Sequence, residues 1–384
     1  MPFFSTRQSI PAVYTMSTTH PTCRKVKDIV IYEDAKFHSA FPSVVQRPDG
    51  ELLLAFRRAP NRLAFGEEGN DHVDPNSYLV AVRSPDGETW TKQPELIYAH
   101  DIGGSQDPCL LQLRDGNLLC ASYGWTFMSP DKVSGLKQPV FEIRPGIVFN
   151  GGYYVKSVDG GKTWQGPLYP PSIPTEKRLG LYGQPLRAYN RGAMVEGQDG
   201  RIYWVCPAQD SVDPRRSGTH LLISADKGQT WTYSCPVAND AKVSFNETSI
   251  HETPKGDLVA FMRSADFDNL ACIARSTDGG KSFQPWQSME FDGRPLHALR
   301  LPDDRVLLTY GYRTGPYGIR ARILNAECTD FVTAPEIILR NDGGSGDLGY
   351  PWSVQLDATH VLVSYYFNVP GGIQHIAGTI LEIN

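Results

Sequence analysis

Short stretches of apolar residues, bounded by turn-forming residues, recur along the whole chain. In the clearest pattern, a strand-like segment leads into a tight turn and an apolar strand follows it. The pattern occurs six times, and its second strands read DGELLLAF from Asp49, DGNLLCAS from Asp115, DGRIYWVC from Asp199, KGDLVAFM from Lys255, DDRVLLTY from Asp303 and ATHVLVSY from Ala358. No convincing amphipathic helix accompanies these strands, so the pattern predicts an all-β protein.

A second repeat, S-x-D-x-G-x-[TS]-[WF], begins at Ser84, Ser157, Ser224 and Ser276, with the first copy one residue short. Its aspartate can accept backbone N–H bonds and its glycine can adopt a positive φ, which is typical of a tight hairpin turn. Most strand–turn–strand units are followed by a third strand and this turn. Together the repeats predict a six-bladed β-propeller of four-stranded antiparallel blades.

Aligning the six copies on the turn identifies one position on the first strand of each blade, eight residues before the turn. We call this position the first-strand tier. It is occupied by Phe41, Asp107, Arg191, Glu247, Pro295 and Tyr350. Because the first strands of a propeller line its central channel, we expect these residues to ring one mouth. Two carboxylates, a guanidinium and a phenol are costly to bury together unless they pair or have a function.

Composition narrows the classes of function. The chain has 384 residues, a net charge of −5 and no basic run, which argues against a nucleic-acid partner. No apolar run approaches the ~20 residues needed to cross a bilayer, so no membrane partner is expected. Seven scattered cysteines without a CxxC motif favour free thiols in a reducing compartment, and we expect a cytoplasmic protein. No ligand spacing indicates a metal or a cofactor.

Domain organisation is predicted to be simple. The first stretch, residues 1–25, has neither the basic start nor the continuous apolar run of a secretion signal, and we expect it to be disordered. Residues 26–384 are expected to form a single propeller domain. The long proline-rich stretch between Trp164 and Arg191 either roofs the channel mouth or packs on the outside.

The Asp-containing turn resembles the Asp box, or BNR repeat, of the sialidase (neuraminidase) superfamily of six-bladed propellers. The resemblance runs from about residue 36 to the C-terminus. It implies a sialidase-like exo-glycosidase that releases a terminal acidic sugar, such as sialic acid, by a retaining mechanism with a tyrosine nucleophile.

The resemblance also assigns roles to individual residues. The segment GYPWSV supplies Tyr350 as the nucleophile, and FNETSIHE supplies Glu247 as the base that polarises it. The segment DLVAFMRS supplies Arg263, which would bind the carboxylate of the substrate. A further arginine is expected from YGIRARI, which supplies Arg320, with Arg313 as the less favoured claimant.

The chain departs from the family at two places. Ala40, in SAFPSVV, stands where the family has an arginine of the carboxylate-binding cluster, and Arg191 or Arg57 would have to substitute for it. Asp107 joins these substrate-binding candidates through its place on the tier. The acid/base aspartate also lacks a clear match in the loop before the first Asp box. That loop offers Asp71, His72 and Asp74.

A tyrosine nucleophile suits an acidic sugar for an electrostatic reason. Sialic acid carries a carboxylate on its anomeric carbon, and a carboxylate nucleophile would lie roughly 4 Å from it. The repulsion would be several kcal/mol at an effective dielectric of about 20. A neutral phenol avoids this repulsion if a neighbouring base, here Glu247, takes its proton during attack.

Other interpretations stay open. Tyr350 could merely cap the channel, Glu247 could pair with an arginine to close the ring, and His72 could only shape a turn. Two alternative functions also fit the residues: a polysaccharide lyase or other glycosidase acting on a uronate-containing glycan, with His72 in proton transfer, and a non-catalytic carbohydrate-binding propeller. In each case the expected partner is a carbohydrate.

Overall fold

The computed structural model describes residues 19–20, 23–67 and 72–384. The predicted six-bladed β-propeller is confirmed: six antiparallel sheets are arranged in chain order around a channel. Two short helices accompany them in the described residues, a 3₁₀ helix at Arg62–Phe65 and an α-helix at Pro130–Val133. Neither of them approaches the length and hydropathy of a segment that could span a membrane.

The strands follow the chain blade by blade. Two strands precede the first blade, β1 (Thr19–His20) and β2 (Cys23–Tyr32). Blade 1 contains β3 (Phe37–Gln46), β4 (Leu52–Pro60), β5 (Tyr78–Ser84) and β6 (Glu95–Tyr98). Blade 2 contains β7 (Gly104–Ser105), β8 (Cys109–Gln112), β9 (Leu118–Phe127), β10 (Glu142–Arg144), β11 (Ile147–Ser157) and β12 (Gln165–Leu168). Blade 3 contains β13 (Val195–Glu196), β14 (Ile202–Val212), β15 (Arg215–Ser224) and β16 (Thr232–Ala238).

The second half of the ring is more regular. Blade 4 contains β17 (Ser244–Glu252), β18 (Leu258–Ala265), β19 (Leu270–Ser276) and β20 (Gln287–Asp292). Blade 5 contains β21 (Leu296–Arg300), β22 (Val306–Tyr312), β23 (Gly318–Leu324) and β24 (Ile337–Arg340). Blade 6 contains β25 (Gly349–Gln355), β26 (His360–Phe367) and β27 (His375–Ile383).

The two ends of the chain close the ring. Strand β2 pairs antiparallel with β27, so the sixth sheet has the order β1-β2-β27-β26-β25. This pairing covers the edge that β27 would otherwise expose. Strand β2 begins at Cys23, three residues before the predicted start of the domain. Residues 1–18 and 21–22, where disorder is predicted, lie outside the described residues.

Burial on both faces of a blade explains the composition of the second strands. The five residues Leu52–Phe56 of β4 are all buried, although strand geometry points them alternately to opposite faces. A strand packed on both sides reads as a continuous apolar run rather than as an alternation. The seven cysteines, all in the described residues, are buried in this interior and form no disulfide.

The Asp boxes are turns on the outside of blades 1 to 4. Each box begins at the serine that ends the third strand, at Ser84, Ser157, Ser224 and Ser276. In the second box, Thr163 donates its backbone N–H (2.9 Å) and its hydroxyl (2.6 Å) to Asp159. In the first box, backbone N–H bonds from Thr89 and Glu88 lower the pKa of Asp86 to about 2. The boxes are therefore self-contained turns, as predicted.

Candidate active site

A bulge at the start of β25 directs the Tyr350 side chain into the channel mouth. The pairing of β25 with β26 shifts register between Gly349 and Trp352, so Tyr350 and Pro351 lie outside the regular ladder. Pro351, which has no N–H, therefore costs no ladder hydrogen bond. Tyr350 adopts a φ of 51°, which is unusual for an aromatic residue and costs of order 1–3 kcal/mol. Such strain is common at functional sites.

The first strands of blades 1 and 4 carry the same irregularity at the same tier. Strand β3 shifts register between Ala40 and Ser43, where Phe41 has a φ of 59° and precedes a proline. In β17 the shift encloses Glu247. Bulges re-aim side chains and are frequent next to active sites. Here they turn Phe41, Glu247 and Tyr350 towards one mouth of the channel.

Tyr350, Glu247 and Arg263 form a directly connected triad. The Tyr350 hydroxyl donates a hydrogen bond to Glu247 Oε1. Arg263 Nη1 donates to Glu247 Oε2 and to the Tyr350 hydroxyl, the latter at 3.3 Å. The side chains of Glu247 and Arg263 keep 15% and 23% of their surface exposed, so the triad is accessible from the mouth.

The electrostatics of the triad keep the proton on the phenol. Burial raises the pKa of Tyr350, and the negative charge of Glu247 raises it further. Burial also raises the pKa of Glu247, but the charge of Arg263 and the hydrogen bonds from Tyr350 and Arg263 outweigh it and leave the pKa lowered. A neutral phenol therefore faces an ionised carboxylate, and the shared proton stays on the phenol oxygen.

The two candidate arginines of blade 5 differ in position. Arg313 lies over the Tyr350 ring at 5.0 Å, and its Nε donates to Leu348 O at 2.8 Å. Arg320, on the third strand β23, instead lies over Tyr312, with its Nε 3.5 Å from Glu336. Sequence similarity favours Arg320, but the geometry reverses that preference, because the third strand is remote from the channel.

Arg294 is a residue that the turn-based alignment misses. Burial lowers the pKa of its guanidinium; the charge of Asp292 opposes this effect, and the charges of Arg263 and Arg313 add to it. A signal in the sequence could have found it, because Arg294 precedes Pro295 as Tyr350 precedes Pro351. Alignment on the proline would place Arg294 on the tier.

Arg191 and Asp107 are buried beneath the triad. The Arg191 guanidinium lies between the rings of Tyr350 (5.0 Å) and Trp352 (5.1 Å) and donates to Pro42 O (2.7 Å) and Tyr350 O (3.3 Å). It thus holds the strained backbone of Tyr350 and plugs the channel. Arg191 also lines a cavity at the mouth together with Tyr350 and Glu247, so its expected contact with a substrate stays a prediction.

Asp107 stands beside this plug, with Arg191 Nε 3.9 Å from its Oδ2. The same oxygen accepts a hydrogen bond from the Tyr123 hydroxyl at 3.0 Å. Burial raises the pKa of Asp107 to about 6. Its Oδ1 is buried and has no hydrogen-bond partner among the described residues.

Of the three acid/base candidates, only His72 is at the mouth in the described residues. Its side chain is 40% exposed, and its Nδ1 lies 3.3 Å from Asp347 Oδ1. Asp74 is a correction: it is buried and bound by both Nε (2.8 Å) and Nη2 (3.0 Å) of Arg62, so it stabilises the loop. Asp71 lies outside the described residues.

Arg57 is wholly buried behind the site. It pairs across strands with Ala40, and its guanidinium lies 5.8 Å from the Phe41 ring. None of its three nitrogens has a hydrogen-bond partner among the described residues. Burial lowers its pKa, and the charges of Asp74 and Asp107 oppose this effect. A substrate at the mouth cannot reach Arg57 in this conformation, which corrects its expected role as a direct substitute for the arginine missing at position 40.

Tyr123, Tyr366 and Asp347 also belong to the site. Tyr366 donates to Asp347 Oδ1 at 2.8 Å and receives Arg313 Nη2 at 2.9 Å. Counting eight residues forward from the first residue of each turn identifies a second set of equivalent positions, on the second strand of each blade. This count would have indicated both Tyr123 and Tyr366. That set contains Arg57, Tyr123, Pro207, Arg263, Gly311 and Tyr366. Asp347 has no comparable signal in the sequence.

Tyr350 and Glu247 of the triad line a cavity of about 260 Å³, which we call the catalytic cavity. Polar groups of Glu247, Tyr350 and His72 share its lining with aromatic rings. Blade 2 supplies Phe141, and the long stretch before Arg191 supplies Tyr189. Among the described residues, no cluster of His, Cys, Asp and Glu side chains has a metal-binding arrangement.

Comparison with known proteins supports this architecture. Residues 146–363 match the family model described as a BNR repeat-like domain. The crystal structure of a protein of unknown function from Dyadobacter fermentans DSM 18053 is 66% identical, with a TM-score of 0.93, and the match covers 95% of this chain and 100% of that chain. The Hadza microbial sialidase Hz136 is 18% identical, with a TM-score of 0.62 over 89% of this chain and 65% of that chain, which shows a shared fold.

Among curated proteins, a xyloglucanase from Paenibacillus sp. is 26% identical over 186 residues. The match covers 44% of this chain but only 16% of that enzyme. The chain therefore spans a small part of the length of this relative.

Proposed function

We propose that this chain, which belongs to the BNR repeat-like domain family, is a retaining exo-glycosidase that releases a terminal acidic sugar from a glycan. The observation that carries the proposal is the hydrogen bond from the Tyr350 hydroxyl to Glu247, with Arg263 bound to both groups. The three residues come from blades 4 and 6 and meet at the accessible mouth of the channel. A phenol activated by a carboxylate is the nucleophile expected for a substrate that is itself anionic.

The choice of nucleophile follows from charge. Retaining glycosidases usually attack with a carboxylate. If the sugar carries a carboxylate next to the reacting carbon, a second carboxylate at about 4 Å adds roughly 4 kcal/mol of repulsion at an effective dielectric of about 20. Tyr350 is neutral before attack, and its proton passes to Glu247 only as the new bond forms. A neutral sugar would not need this arrangement.

The reaction has two displacements. In the first, the Tyr350 oxygen bonds to the anomeric carbon, Glu247 takes the phenol proton, and the bond to the leaving oxygen breaks. His72 gives that oxygen a proton. In the second, His72 takes a proton from water, whose oxygen bonds to the anomeric carbon while the bond to Tyr350 breaks. Glu247 then returns its proton to the phenol, and the sugar leaves with its configuration retained.

The specificity for an acidic sugar is proposed from the arginines. Arg263 lies at the Tyr350 hydroxyl and Arg313 lies over the Tyr350 ring. Arg294 lies within electrostatic range of both arginines. Guanidinium groups bind carboxylates with paired hydrogen bonds. We assign the substrate carboxylate to these three side chains, with Arg294 as the third cation in place of the arginine missing at Ala40.

The comparisons support a glycosidase-like function in general. The names sialidase and xyloglucanase, borne by two of the similar proteins, both describe enzymes that act on glycans. The acidic sugar itself is proposed from the charges of the site, and the carbohydrate partner from the names together with the cavity. Localisation in the cytoplasm is proposed from the buried free thiols alone.

The test uses the full chain with a fluorogenic α-sialoside and, separately, with uronate-containing polysaccharides. We expect release of the fluorophore and its loss in Tyr350→Phe. Unsaturated product from the polysaccharides, formed by Tyr350→Phe but not by His72→Ala, would instead support a lyase. Sugar binding without turnover of any substrate would support a carbohydrate-binding propeller. Either result would overturn the glycosidase proposal.

A further inference from the structure

A second cavity, of about 330 Å³, opens between blades 6 and 1 beside the catalytic cavity. Its walls are the end of β4 with the adjoining 3₁₀ helix, the loop before β25 and the loop between β26 and β27. Asp347 belongs to its lining, and His72, the partner of Asp347, belongs to the lining of the catalytic cavity. One pair of side chains, 3.3 Å apart, therefore links the linings of the two cavities.

Buried polar atoms without partners mark this second cavity as a built site. His38 and Asn61 are only 5% and 6% exposed, and both line it. His38 Nδ1 and Asn61 Oδ1 have no hydrogen-bond partner among the described residues. Buried polar groups in proteins are satisfied almost without exception, by protein, water or ligand. Two such residues in the wall of one cavity give it a polar, preformed lining that suits a ligand with hydrogen-bonding groups.

The remaining lining defines the chemistry of that ligand. Burial lowers the pKa of His38 to about 4, so its imidazole is neutral near neutral pH. The amides of Asn368 and Gln374 add polar surface, while Leu63 and Val369 supply apolar contacts. Asp347 is the one carboxylate in the lining, and no lysine or arginine accompanies it. This combination suits the hydroxyls and the apolar face of a neutral sugar and disfavours an anion.

The position of His72 assigns the cavity a place in the reaction. We propose that the second cavity binds the neutral sugar unit that carries the leaving oxygen, while the acidic sugar occupies the catalytic cavity. The inference rests on the proposed function, in which His72 protonates that oxygen. The glycosidic bond then passes His72, and the leaving sugar extends towards Asp347. The cavity volume lies within the ~300–1,000 Å³ of ordinary ligand pockets.

The test compares two substrates with the same class of leaving group. Methyl α-sialoside leaves the second cavity empty, whereas sialyllactose places a sugar in it. Leu63, 62% exposed, is replaced in Leu63→Arg, and Leu96, 61% exposed on β6 and outside this lining, provides the matched control Leu96→Arg. We expect the ratio of kcat/KM for sialyllactose to kcat/KM for methyl sialoside to fall about tenfold in Leu63→Arg. The ratio should not change in the control.

A second variant, at another residue of the lining, tests whether the effect of Leu63→Arg comes from the cavity and not from a change confined to position 63. His38→Phe keeps the ring but removes the unpartnered nitrogen, so we expect the same fall in the ratio without a lower melting temperature. Unchanged ratios in both variants, with both substrates hydrolysed, would overturn the subsite and leave the proposed function intact. If the unaltered protein hydrolyses neither substrate, the proposed function fails and the subsite falls with it.

Discussion

Replacing Glu247 by glutamine removes the proposed base of the triad and changes little else. The glutamine carbonyl can still accept the hydrogen bond from Tyr350, but it cannot take the proton. Position-specific general bases contribute about 10²–10⁴-fold to a rate. We therefore expect kcat of Glu247→Gln on a sialoside to fall by this factor, which is roughly 2.7–5.5 kcal/mol of activation free energy.

The same substitution affects stability to a smaller degree. It leaves Arg263 without its carboxylate, and breaking a fully buried pair costs about 3–5 kcal/mol. Here the two side chains remain 15% and 23% exposed, so solvent screens part of the loss. We expect the free energy of unfolding to fall by only about 1–2 kcal/mol. The variant should therefore stay folded at room temperature.

The assay measures initial rates of sialoside hydrolysis across pH, together with urea unfolding. In the unaltered protein, activity should fall at acid pH as Glu247 becomes protonated. Because the pKa of Glu247 is lowered, this fall should occur at a lower pH than for an ordinary glutamate. This limb should vanish in Glu247→Gln. The control is Glu252→Gln, at the far end of the same strand β17, where Glu252 accepts a hydrogen bond from the Gln198 backbone N–H. A loss of kcat below about tenfold in Glu247→Gln would refute the role of Glu247 as base.

Three further outcomes are expected. Arg313→Met should raise KM for a sialoside about tenfold or more, whereas Arg320→Met should leave KM unchanged and lower the melting temperature; equal effects on KM would contradict the geometry. Burial raises the pKa of Asp107 in the folded protein to about 6, so the free energy of unfolding should fall as pH rises from about 4 to about 6. In urea unfolding, Asp107→Asn should remove this dependence on pH. The pKa of Asp86 is lowered to about 2, so the stability that its charge contributes is present above about pH 4 and is lost as pH falls towards 2. In Asp86→Ala, this part of the fall in unfolding free energy at acid pH should be absent.

Much of the candidate site could be predicted because the propeller is a repeat. Each blade is stabilised by local strand pairing, so a residue counted from its own turn falls at the same height in every blade. This is why Tyr350 and Glu247, which are 103 residues apart, meet as the alignment indicates. The count finds the height of a residue, but it says nothing about the direction of a long side chain.

The misplaced residues show what that limit means. Arg313 directly follows β22 and Arg320 lies seven positions later on β23, and only the packed blade decides which one lies over Tyr350. Asp74 resembles an acid/base candidate until the structure shows it bound to Arg62, because ion pairs with a loop neighbour leave no periodic signal. Asp347 was absent from the candidates for the same reason, whereas Arg294 was missed because the copies were aligned on the turn and not on the proline.

By itself, the sequence determined the number of blades, the four Asp boxes and the height at which charged residues line the channel, because periodic hydrophobic patterns and turn residues act over a few neighbours. The tertiary structure decided which side chains touch at the mouth, which arginines are buried behind it and where a second cavity opens. Those contacts join strands hundreds of residues apart, and they depend on bulges, on backbone strain at Phe41 and Tyr350, and on the exact closure of the ring by β2 and β27.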